Sequence, residues 1–126
     1  MSPALVENLV KENHLISQCF LFGDGKSYCV ALLTLNQPEL EAFAKSNKID
    51  YQSFSDFSSL PDIRKLIEKT VEQVNSRISS SEQIKKFVIL ERDFSAESDE
   101  ITPTLKLKRN VIAERFKEII ESMYVK

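Results

Sequence analysis

The sequence predicts a small α+β domain: a mixed or antiparallel sheet containing a β-hairpin, packed with helices. Three observations lead there. Two apolar strand-like runs, "ISQCFLF" and "SYCVALLTL", flank the tight-turn signal "GDGK". Apolar residues recur at helical spacing between Asp62 and Ile78. The full order of elements reads α, ββ, α, α, β, β, α, which suits a sheet with helices laid over it.

Taken in order, Pro3–Asn13 reads as a short helix. Ser2 is placed to cap it and Pro3 suits its first position, with Leu5, Val6, Leu9 and Val10 as the apolar stripe. Leu15 to Leu35 forms the hairpin, turning at Asp24-Gly25. Its second strand is apolar at nearly every position from Cys29 to Leu33, which marks a strand buried on both faces. Pro38–Lys48 is a second helix with Leu40, Phe43 and Ala44 inward. "DYQSFSDFSSLP" reads as a loop. In the helix Asp62–Ile78, residues Ile63, Leu66, Ile67, Thr70, Val71, Val74 and Ile78 share one face. "SSSEQIKK" is a polar connector, and Phe87–Leu90 a short buried strand. "ERDFSAESDE" reads as a solvated acidic turn. Ile101–Arg109 alternates as an extended segment, and a last helix covers Asn110–Tyr124 with Ile112, Phe116, Ile119, Ile120 and Met123 inward.

The chain has 126 residues, enough for one domain with a real core. With 42% hydrophobic and 29% charged residues it has an ordinary globular composition. A net charge of -2 argues against a polyanion binder, so no nucleic-acid partner is expected. The longest apolar run, Cys29–Leu35, is far short of the roughly 20 residues that span a bilayer, and no secretory signal is visible. Cys19 and Cys29 read as buried reduced thiols, a disulfide being conceivable if they face each other across the hairpin. One histidine and two cysteines make no metal site.

Among candidate sites, "GDGKS" lacks the first glycine of a phosphate-binding loop, that position being Phe20, and a strand follows it where a helix is required. His14 ends a helix with no partner nearby in sequence. The acids Glu91, Asp93, Glu97, Asp99 and Glu100 lie in the turn-rich segment with nothing to raise a pKa. "ITPTLKLKRN" is different. As an extended strand it places Ile101, Pro103, Leu105 and Leu107 on one face, and Thr102, Thr104, Lys106 and Lys108 on the other. Cations fixed on a packed backbone suit a phosphate-bearing partner, although surface lysines on strands are also common as edge protection.

Three stretches, "ISQCFLFGDGKSYCVALLTLN", "VNSRISSSEQIKKFVILERDFSAESDEITPTLKLKRNVI" and "IIESMY", resemble the C-terminal domain of long-chain fatty acid–CoA ligases, AMP-forming members of the adenylate-forming superfamily. The resemblance runs over essentially the whole chain. "EITPTLKLKR" is similar to that branch's form G-E-L-T-P-T-x-K-x-K-R. Asp99 stands at the usual glycine, where it can accept a left-handed turn at more cost. Leu105 stands where the wider superfamily has glycine.

The resemblance implies a mobile lid that closes over a large N-terminal domain holding ATP, Mg²⁺ and the fatty acid. Acyl-adenylate forms first; the lid then rotates and CoA displaces AMP. Lys106 matches the lid's catalytic lysine, with Thr104, Lys108 and Arg109 as supporting residues. The partners so implied are the enzyme's own N-terminal domain, and fatty acid, ATP and CoA as substrates. The domain alone is expected to bind none of them and to be inactive. On this reading residues 1–126 are one domain of a longer protein, whose N-terminal domain, hinge and glycine-rich loop lie outside this chain. The location is cytoplasmic, with peripheral membrane attachment of the full enzyme left open. The alternative is a stand-alone interaction module docking an acidic partner through its cationic strand.

Overall fold

The computed structural model of the chain describes residues 3–23 and 28–124. The Ser2 cap and the Asp24-Gly25 turn lie outside them. A three-stranded sheet in the order β1-β2-β3 forms the centre. Strands β1 (Ile16–Phe22) and β2 (Cys29–Leu35) pair antiparallel, as the hairpin reading requires. Strand β3 (Ile84–Ile89) pairs parallel to β2, so the sheet is mixed. The register sets Cys19 opposite Leu33, and no disulfide joins the two cysteines.

Helix α1 (Pro3–Val10) precedes the sheet. Helices α2 (Gln37–Ser46) and α3 (Pro61–Asn75) lie on the long parallel connection from β2 to β3, and α4 (Arg109–Arg115) and α5 (Lys117–Ser122) close the chain. The two faces of the sheet carry separate cores. Ala31, Leu33 and Leu35 join Val6, Val10, Leu40, Phe57, Ile63, Ile67 and Val71 on one side. Val30 and Leu32 join Phe20, Leu90, Phe94, Ile112, Ile120 and Met123 on the other. Strand β2 is thus buried on both faces because period-2 alternation feeds two cores at once.

Several elements differ from the sequence reading. In α1 the buried stripe is Val6 and Val10 flanked by Glu7, while Leu5 is 48% exposed. The stretch read as a loop contains a 3₁₀ segment, Phe54–Ser59, capped reciprocally by Ser53 and Asp56. It inserts Phe57 into the core, its ring centroid 4.4 Å from that of Tyr51. Four serines masked this anchor in the sequence. Strand β3 begins three residues before Phe87 because Asn75, ending α3, acts as a surrogate strand partner. Its Oδ1 accepts the Ile84 N–H at 2.8 Å and its Nδ2 donates to the Ile84 carbonyl at 3.0 Å. The last helix is divided at Phe116, whose φ of -105° and ψ of 21° leave the helical region. Ile112 and Ile120, one on each side of the break, both stay in the second core. The Tyr28 hydroxyl donates to the Met123 carbonyl at 2.9 Å and ties this end of the chain back to the hairpin.

The largest departure concerns Ile101–Arg109, which is not an extended strand. Ile101 and Leu107 form an isolated antiparallel bridge, and the chain turns back on itself between them. The Leu105 N–H donates to the Thr102 carbonyl at 2.9 Å and the Thr102 N–H to the Lys106 carbonyl at 2.8 Å. Leu105 adopts a φ of 66° and is 66% exposed, so it does not pack on the domain. Alternation failed as a guide because the segment makes its hydrogen bonds within itself, not to the sheet.

Candidate functional site

The tight loop from Ile101 to Lys108 carries Lys106 and Lys108, Arg109 opens α4 directly after it, and the geometry separates the three. Thr102 organises the tip. Its Oγ1 accepts the Lys106 N–H at 3.1 Å and lies 3.0 Å from Thr104 Oγ1. The Lys108 N–H donates to the Glu100 carbonyl at 2.8 Å and closes the base. Pro103, Thr104, Leu105 and Lys106 form the exposed tip. A short loop with internal hydrogen bonds and a pinned base presents its tip in a defined place, as a catalytic group requires.

The side-chain ammonium of Lys108 pairs with Asp99, whose φ of 63° is the left-handed turn expected at that position. Arg109, the first residue of α4, forks onto Glu7 of α1: Nη1 donates to Oε2 at 3.0 Å and Nη2 to Oε1. Its guanidinium carbon also lies 5.7 Å from the Phe20 ring centroid. Among the described residues, Lys106 alone of the three is exposed with its ammonium facing no carboxylate or other acceptor. The structure therefore brings Thr104 and Lys106 together at the tip and assigns Lys108 and Arg109 to internal ion pairs.

Two of the five acids read as solvated are structural anchors. Glu100 is fully buried. Arg92 donates to both its oxygens, at 2.7 and 2.6 Å, Arg115 donates at 3.1 Å, and the Ser95 N–H at 3.2 Å. Burial pushes its pKa up, but the hydrogen bonds from Arg92, Arg115 and Ser95 outweigh that, and the net shift is downward. Asp93 accepts from the Ser17 hydroxyl at 2.5 Å and the Thr34 hydroxyl at 2.7 Å, which fastens the segment to β1 and β2. An acidic run gives no sign of which members turn inward: Arg92 lies within the run, but the other partners Arg115, Ser17 and Thr34 are remote in sequence. Glu7 was also missed. The only available signal was its place beside Val6 on a helix whose next buried residue is Val10.

His14 meets Glu39 of α2 at 3.7 Å with both side chains largely exposed, a surface contact of little energetic weight. Both cysteines have pKa values raised by burial. Among the described residues no helix is long and apolar enough to cross a membrane.

The structure is thus a mixed three-stranded sheet with helices against both faces and an exposed lysine on a braced loop between β3 and α4. The whole chain, residues 1–126, matches the AMP-binding enzyme C-terminal domain, and the protein belongs to that family within the adenylate-forming enzymes. It is 38% identical over 127 residues to the long-chain-fatty-acid–CoA ligase FadD15 of Mycobacterium tuberculosis (strain ATCC 25618 / H37Rv), covering 100% of this chain and 21% of that protein. It is 36% identical over 143 residues to the long-chain-fatty-acid–CoA ligase ACSBG2 of Mus musculus, covering 99% of this chain and 21% of that protein. The chain thus spans about a fifth of the length of these curated relatives. In fold it is similar to the adenylation domain of a carboxylate reductase from Mycobacterium chelonae, with a TM-score of 0.74 at 22% identity over 100% of this chain and 18% of that one. It is also similar to the A-PCP didomain of carboxylic acid reductase from Segniliparus rugosus, solved in complex with AMP, with a TM-score of 0.73 at 17% identity over 98% and 16%.

Proposed function

We propose that this chain is the lid domain of an AMP-forming long-chain fatty acid–CoA ligase and that Lys106 is its adenylation lysine. The observation that carries this is the division of labour among three adjacent cations. Lys108 and Arg109 are each neutralised by a carboxylate, while the Lys106 ammonium stands exposed on a loop braced at its base. The names of the curated relatives, both long-chain-fatty-acid–CoA ligases, support the acyl branch.

In the first half-reaction a fatty carboxylate oxygen attacks the α-phosphorus of ATP. The bond to the bridging oxygen breaks and pyrophosphate leaves with the electron pair. Negative charge gathers between the carboxylate, the phosphoryl oxygens and the leaving group. A pre-positioned ammonium stabilises that charge with little reorganisation. In the second, the CoA sulfur attacks the acyl carbonyl and AMP departs, a step the Lys106 cation does not need. A cation that serves one step and must clear the site for the next is suitably mounted on a lid. Mg²⁺ would bind elsewhere in the enzyme. Among the described residues no three potential ligands stand together, and at the foot of the Lys106 loop Asp99 is held by Lys108 and Glu100 by Arg92 and Arg115.

The test uses the full-length enzyme that carries this chain. Lys106→Ala should lower acyl-adenylate formation by about 10²–10³ and leave conversion of supplied acyl-adenylate to thioester in place. Equal loss in both half-reactions would overturn the assignment.

A further inference from the structure

Glu7 is an acid on the buried flank of α1, between the core residues Val6 and Val10, with only 4% of its side chain exposed. Burying a carboxylate is costly unless its oxygens are satisfied. This one is met from two directions. The Leu21 N–H of β1 donates to Oε2 at 2.7 Å, and the Arg109 guanidinium covers both oxygens. Sequence distance separates Glu7 from Arg109 by 102 positions, yet Arg109 follows Lys106 by three.

Among the described residues, the other hydrogen bonds and ion pairs of the Lys106 loop do not reach α1 or β1. The Thr102, Leu105 and Lys108 N–H bonds and the Lys108–Asp99 pair stay within residues 99–108, while Asp99 and Glu100 donate back to Ala96 and Ser95, and the Lys108 carbonyl accepts from Ile112 of α4. Glu100 ties the N-terminal foot to Arg92 and to Arg115 of α4. Arg109 ties the C-terminal foot to α1 and β1. A fork-to-fork guanidinium–carboxylate contact fixes an angle as well as a distance, because two parallel hydrogen bonds must form at once. An apolar residue at position 7 would pack beside Val6 and Val10 without needing a partner, but it would supply no such directional constraint.

We propose that Glu7, acting through Arg109, is a positioning residue for Lys106: the pair sets the direction in which the loop presents its free ammonium relative to the sheet. The proposal rests on the adenylation role given to Lys106, and the experiment separates the two. In the full-length enzyme, Glu7→Gln and Arg109→Lys are each made alone and together with Lys106→Ala, and the two half-reactions are assayed separately. Glu7→Gln keeps the side chain's shape but loses its charge; Arg109→Lys keeps the charge and loses the fork. Each single variant should lower the adenylation kcat about 10- to 100-fold, the order expected for a displaced catalytic group, with the KM for ATP changed less than about twofold. Thioester formation from supplied acyl-adenylate should change less than about twofold. In the Lys106→Ala background neither variant should lower adenylation further, because the group they position is gone.

A further tenfold loss in that background, or equal loss in both half-reactions, would show Glu7 to be structural only and overturn the proposal. Lys106→Ala leaving adenylation intact would instead remove the lysine reading, and the positioning role with it. Should Glu7→Gln not accumulate as folded protein, Arg109→Lys carries the same cycle, since it leaves Glu7 a cationic partner.

Discussion

Arg92 grips Glu100 through two parallel hydrogen bonds, Nη1 to Oε1 at 2.7 Å and Nη2 to Oε2 at 2.6 Å, and the carboxylate between them has no exposed surface. The same carboxylate takes Arg115 from α4. One residue of an acidic turn therefore joins the segment after β3, the loop that bears Lys106 and the final helices.

Glu100→Gln keeps the shape and loses the charge. Charge-assisted hydrogen bonds contribute about 1.5–3 kcal/mol each in net terms, and the guanidinium groups here remain half exposed and can turn to water. The expected loss is about 1–3 kcal/mol, read as a lower urea midpoint at unchanged m-value.

That contribution depends on pH with a definite sign. The folded carboxyl titrates below its ordinary value of 4.5, so above that pH it is ionised in both states and its contribution is complete. As the pH falls below 4.5 the unfolded chain takes up the proton first, and stability is lost until the folded group is protonated as well. Urea titrations of parent and Glu100→Gln should differ by a constant amount from about pH 5 to about pH 7. The two should converge in more acidic solution. A gap that persists unchanged at low pH would count against the pairing.

Leu105 is a leucine in the left-handed region at φ 66° with most of its side chain in water. Glycine there removes a steric penalty of about 1–2 kcal/mol and costs about 0.5–1 kcal/mol of unfolded-chain entropy. Leu105→Gly should therefore be neutral to about 1 kcal/mol more stable. Leu105→Val, β-branched in the same conformation, should lose about 1 kcal/mol or more. Thermal melting of the pair checks the order.

Phe57 is fully buried against Tyr51 and Phe54, with ring centroids at 4.4 and 6.0 Å. Phe57→Ala should cost about 3–5 kcal/mol, a core-cavity loss and not a loop-residue loss. Chemical denaturation distinguishes the two readings directly.

Cys19 is fully buried and Cys29 partly so, and burial raises both thiol pKa values. A disulfide reagent at neutral pH should modify Cys29 slowly and leave Cys19 intact until the protein is unfolded, as followed by mass spectrometry. Rapid modification of Cys19 in the folded state would show that the sheet opens locally.

Much of the fold was legible in local patterns. Continuous apolarity from Cys29 to Leu33 announced a strand buried on both sides, and β2 feeds both cores. The helical stripe Ile63, Ile67, Val71 and Val74 lies buried as its spacing required. Such signals are legible because a single element's periodicity decides which side of it meets water. Phe57 was hidden among serines, since its burial depends on where the 3₁₀ segment docks and not on its neighbours. The parallel pairing of β3 with β2 was hidden for the same reason.

The candidate site divides along the same line. The order of residues alone sets out "ITPTLKLKRN", its three cations and its resemblance to a lysine-bearing motif. It could not say which cation stands free, because that is decided by carboxylates drawn from elsewhere in the chain. Asp99 takes Lys108 and Glu7 takes Arg109. Charge pairing is short-ranged and three-dimensional, so Glu7, 102 positions away from Arg109, acts on the site only once α1, β1 and α4 have packed together.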